Sequence, residues 1–79
     1  MKRIEERIID AMHERKDVQL SKRDRVYWDA ERGGMVYRLW YTDIALARIG
    51  SPIERLIADG APWSGSRTTR SRLRVLGLL

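Results

Sequence analysis

The residues best equipped for chemistry are four arginines crowded toward one end of the chain: Arg67, Arg70, Arg72 and Arg74. A guanidinium stays charged at any physiological pH and presents a planar fork of donors that matches phosphate and carboxylate oxygens. In a helix, at about 100° per residue, Arg67, Arg70 and Arg74 share one face, while Leu73, Val75, Leu76 and Leu79 spread over the opposite side. Such a ridge could meet successive phosphates or carboxylates of a partner, and it is equally the pattern of a docked helix's solvated face. Arg72 points elsewhere, into the middle of the apolar arc, where an unpaired charge is costly. It is expected to hold a carboxylate or backbone carbonyl inside the fold and so to be structural.

Other chemistries have little to work with. The single histidine, His13, falls on the polar side of a helical pattern, and no nucleophile has a visible general base. With one histidine, no cysteine and carboxylates scattered singly among basic residues, no metal site is expected. The six glycines form no lysine-containing phosphate loop, so no cofactor is expected either. The reading is of a non-enzymatic chain with no catalytic residue.

The six aromatics are three Trp and three Tyr, with no Phe. Rings with a polar tip suit half-exposed positions and interfaces better than a dry core. Trp40 and Trp63 are expected to close over a small core. Tyr37 and Tyr41 are candidates for stacking on bases or on a partner's side chains.

These groups need a scaffold, and 79 residues suffice for one domain spanning positions 1–79. So short a chain buries a modest share of its surface, so a homodimer or a partner complex would add stability. Without cysteine the core must be held by apolar packing alone. No apolar run approaches a membrane span, and acidic Glu5 and Glu6 interrupt any signal-like start, so a cytoplasmic protein is expected. The formal net charge of +5 is uneven: residues 61–79 hold four arginines and no acid, while residues 1–60 hold twelve basic and eleven acidic residues. That asymmetry favours a polyanionic partner, DNA or RNA first and an acidic protein surface next.

Residues 2–16 read as an amphipathic helix, with Ile4, Ile8 and Met12 at i, i+4 and i+8. Val18 and Leu20 alternate with polar neighbours. A hairpin is predicted over residues 25–41, its turn marked by Gly33-Gly34. In a regular strand Trp40 and Tyr41 would point to opposite faces. Residues 42–60 carry two competing signals. Ser51-Pro52-Ile53-Glu54 is a helix-start pattern and Gly60 a stop, which favours helix on local grounds. The rival is a meander turning at Thr42-Asp43, with strands over residues 44–49 and 53–58. Ser66 or Thr68 can cap a final helix over residues 69–76.

Two segments, Thr42-Asp43-Ile44-Ala45 and the run from Gly60 through Trp63, Thr68, Thr69 and Arg72 to Leu73, resemble short, mostly uncharacterised bacteriophage proteins. Those proteins pair a G-N-x-I-A turn with a terminal G-W-x-T-x-T-T-x-x-R-L-N motif. Here Thr42-Asp43 replaces the Gly-Asn turn, extra residues separate Gly60 and Trp63 from the threonines, and Arg74 stands where asparagine is usual. The resemblance implies a phage or prophage product, a strand meander leading into a capped C-terminal helix, and Arg72 as a recurring structural residue.

The expected fold is therefore α+β: an N-terminal helix, a small antiparallel sheet of three or more strands and a C-terminal helix, the alternative being mainly α with one hairpin. Small phage proteins without an active site often dock on host machinery, anti-CRISPR proteins among them, an argument by class. The expected function is binding and inhibition of a host protein or ribonucleoprotein complex in the host cytoplasm. Arg67, Arg70, Arg74, Tyr37 and Tyr41 would form the site. The alternative is sequence-independent binding of DNA or RNA by the arginine-rich helix.

Overall fold

The computed structural model describes residues 3–58 and 60–79. Its elements run α1 (Ile4–Glu14), β1 (Val18–Gln19), β2 (Asp24–Asp29), β3 (Gly34–Leu39), β4 (Thr42–Ala47), β5 (Glu54–Arg55) and α2 (Arg67–Val75). The five strands form one antiparallel sheet in which every strand pairs with its chain neighbour, in the order β1-β2-β3-β4-β5. The fold is α+β, with an N-terminal helix, a sheet and a C-terminal helix.

Helix α1 forms because Ile8, Ala11 and Met12 line one buried stripe, with Ile4 packed beside them. It stops two residues short of the predicted end. Arg15 turns left-handed at φ 59°, and the Lys16 amide closes back on the Ala11 carbonyl at 3.0 Å. The β2–β3 turn is held by the Asp29 carboxylate, which accepts the Glu31 and Arg32 amides, and by Gly33 at φ 69°. Its neighbour Gly34 is fixed by space: a Cβ there would lie 2.6 Å from the Ala47 carbonyl oxygen on β4.

Residues 42–58 hold two strands, β4 and the short β5, with turns and irregular segments around them and no helix, against the local helix signals. The turn after β3 is Trp40-Tyr41, so Thr42 already pairs with Leu39, and the turn expected at Thr42-Asp43 lies two residues earlier. Tyr37 pairs with Ala45 and Arg38 with Asp43, which leaves Ile44 as an extra, bulged residue. The bulge sends both Ile44 and Ala45 into the core. Pairing of Leu46 with Val36 and Glu54 then outweighs the Ser51-Pro52 capping pattern.

Helix α2 begins at Ser66, whose Oγ accepts the Thr69 amide at 3.2 Å and donates to Thr69 Oγ1 at 2.8 Å. It ends where Gly77 takes φ 75°, with the Gly77 amide on Arg74 O and the Leu78 amide on Leu73 O. Leu73 joins Ile8, Met12, Val26, Tyr37 and Ile57 in the core, so both helices cover the same sheet face. Among the described residues no helix is long and apolar enough to cross a membrane.

Candidate functional site

The buried polar groups of this fold gather around Asp24. It precedes Val26 by two residues on β2 and therefore faces the core, fully out of solvent. Ser21 Oγ donates to Asp24 Oδ2 at 2.7 Å, the Tyr37 hydroxyl donates to Oδ1, and Arg72 Nε donates to Oδ1 at 3.1 Å. Arg72 Nη1 also reaches Glu5 Oε1 on α1 at 2.8 Å. Burial works to raise the Asp24 pKa, but the hydrogen bonds from Arg72, Tyr37 and Ser21 and the Arg72 charge together hold it below the ordinary carboxylate value. Burial, then the Asp24 hydrogen bond and charge, push the Tyr37 phenol far above its ordinary value. Every buried side-chain polar atom among the described residues has a partner.

This cluster decides two of the sequence expectations. Arg72 is structural, bound to two carboxylates. Tyr37 is no stacking residue: its ring is fully buried against the core and its hydroxyl is spent on Asp24. Sequence reasoning missed Asp24, although its parity with Val26 and its Ser21-x-x-Asp24 spacing were available signals.

The arginine ridge stands out from the protein. Arg67, Arg70 and Arg74 are all exposed, on the side of α2 away from buried Thr69, Arg72 and Leu73. None of the three side chains has an ion pair or hydrogen bond among the described residues. The first turn of α2 carries no acidic residue. The sheet's open face is different. There Asp43 accepts Tyr27 Oη at 3.0 Å, Arg38 Nε at 2.9 Å and Arg32 Nη1 at 2.9 Å, and Arg38 lies 5.0 Å over the Tyr27 ring. Arg48 and Glu54 lie 3.6 Å apart on the same sheet. Those arginines are matched by acids, whereas the ridge on α2 is not.

The aromatics at the start of α2 and the β3–β4 turn also stand out. Tyr41 is 93 % exposed, Trp63 72 % and Trp40 58 %. Trp40 and Trp63 do not lid the core as expected. Both are mostly exposed, and both hold positive φ angles, 55° and 71°. Trp40 and Tyr41 both lie in a turn, and the alternation of a regular strand does not apply to them. Between these rings lies a groove of about 440 Å³ floored by Leu39 and Ile44, with Thr42, Ser66 and Thr68 along its walls and no charged residue in its lining. A second hollow, about 410 Å³, lies at the far end of α1, where Arg15 stands 5.9 Å from the Trp28 ring centre.

His13 is exposed on α1. Among the described residues no three acidic or histidine side chains gather as metal ligands would. No family model matches the chain, and neither a curated protein nor a solved structure is similar to it.

Proposed function

We propose that this chain is a small, non-enzymatic accessory protein of phage type that docks on a host macromolecular complex and inhibits it. The observation that carries the reading is the unpaired row Arg67, Arg70 and Arg74 on the outer side of α2, in a fold that neutralises its other clustered arginines with carboxylates. Arginine and aromatic side chains are the residues that dominate binding energy at interfaces, and Tyr41 lies fully in solvent at the same end of the molecule as the first turn of α2. The phage assignment rests on the resemblance of the Thr68-Thr69-x-x-Arg72-Leu73 run.

The test is capture from host lysate on the immobilised full chain, with and without nuclease. A discrete host complex retained by the native chain and lost from R67Q/R70Q/R74Q is the expected result. Retention unchanged by the triple substitution would remove the ridge from the site, and with it this reading.

A further inference from the structure

We infer that the groove between Trp40, Tyr41 and Trp63 binds single-stranded nucleic acid by base stacking, with the α2 arginines holding the phosphates. This rests on reading the ridge as a docking surface and names the partner for that surface.

Three observations converge. Two tryptophans occupy left-handed backbone, a conformation that bulky residues seldom adopt, and in both cases the ring is exposed and lines the same groove. More than half of each residue's surface is exposed, which leaves the rings available to a planar guest in the groove they line. Next, the groove's own walls are apolar or hydroxyl-bearing, so they can take the flat face of any base and hydrogen-bond its edge without selecting sequence. Finally, Arg67 sits between the groove-lining Ser66 and Thr68, and Arg70 and Arg74 continue from it along the exposed side of α2 away from buried Thr69. A strand leaving the groove would pass Arg67 onto a row of arginines with no ion pair among the described residues and no acid on the helix. Along the helix axis those arginines are about 4.5 and 6 Å apart. A phosphodiester chain supplies anions at short regular intervals, which an acidic protein surface does not. Open single strands, whose bases are unstacked, can use rings and arginines together; a duplex offers the arginines only its phosphates.

The experiment uses the purified full chain with a fluorescein-labelled oligonucleotide of about twelve nucleotides, single-stranded or as a duplex. Anisotropy and intrinsic tryptophan emission are read across a salt series. Tighter binding to the single strand with quenching of tryptophan emission is expected. W40A and W63A should each weaken that binding about tenfold while leaving the salt slope intact. R67Q/R70Q/R74Q should reduce the slope of log K against log salt by about 2. Far-UV circular dichroism of the variants checks the fold, since all five residues are exposed. Equal affinity for duplex and single strand without quenching would overturn the stacking inference and leave the ridge as a plain phosphate contact. Absence of binding to either form, with nuclease-resistant capture of a host protein, would also overturn it while the docking reading stands. A salt slope unchanged by the arginine substitutions would overturn both.

Discussion

Arg72 and Asp24, 48 positions apart, meet inside the protein through Nε–Oδ1 and Nη2–Oδ2 contacts of 3.1 and 3.5 Å. Asp24 is wholly buried and the Arg72 side chain nearly so. Removing one partner of such a pair strands the other charge in a poorly solvated place, which costs about 3–5 kcal/mol. Arg72→Ala should therefore lower stability in urea by that amount. Arg70→Ala and Arg74→Ala, with no contact to lose, should stay within about 0.5 kcal/mol of the parent. Equal tolerance of all three substitutions would contradict the structural role of Arg72.

Acid should unfold the protein through two carboxylates. Burial opposes ionisation at both Asp24 and Asp43, but arginine hydrogen bonds win at each and place the folded value below the ordinary one. The unfolded state therefore binds protons more readily as pH falls. The stabilisation is complete above about pH 5 and is lost progressively as pH drops below about 4 toward the lowered folded values. A denaturation series from pH 7 to pH 2 should show this slope. Asp24→Asn should be less stable at pH 7 and show a shallower acid limb than the parent.

Gly34→Ala is expected to destabilise by about 1–3 kcal/mol, because the added methyl meets the Ala47 carbonyl at 2.6 Å and the two backbones must part. Gly65→Ala is the control, since nothing lies within 4 Å of that Cβ and its φ is not positive. Thermal midpoints distinguish them: the first variant should melt several degrees lower and the second should match the parent.

On the open face, Asp43→Ala leaves Arg32 and Arg38 without their shared acceptor beside Tyr27. The pair positions are partly solvated, so the loss should be about 1 kcal/mol. Added salt should shrink it, which urea titrations at two ionic strengths would reveal.

The elements that periodicity and capping mark were legible in the sequence. The Ile4-Ile8-Met12 stripe gives α1, Gly33-Gly34 the first hairpin, and Ser66 with Gly77 bracket α2. Arg72's inward position followed from its angle on the helix. Residues 42–60 were not legible locally, because Ile44, Ala45 and Leu46 become strand through pairing with β3, and pairing depends on the partner strand. The aromatics were misassigned for two physical reasons. Tyr37 takes its polar tip inward, which is affordable only because Asp24 waits there. Trp40 and Trp63 adopt a backbone conformation that nothing in their neighbours announces, and so the groove they frame is absent from any reading of spacing alone.

A sheet whose strands pair only with their chain neighbours can be assembled hairpin by hairpin as synthesis proceeds. Asp24 can then meet Ser21 and Tyr37 well before its buried partner Arg72 exists, since α2 follows all five strands in the chain. Until that helix arrives, the only cation beside Asp24 among the described residues is the half-exposed Arg23, whose Nε lies 3.9 Å from Oδ2, too far for a hydrogen bond. Burial of Asp24 with a hydrogen-bonded cation thus requires α2, and a ribosome-bound fragment ending before Arg72 should remain open to proteolysis.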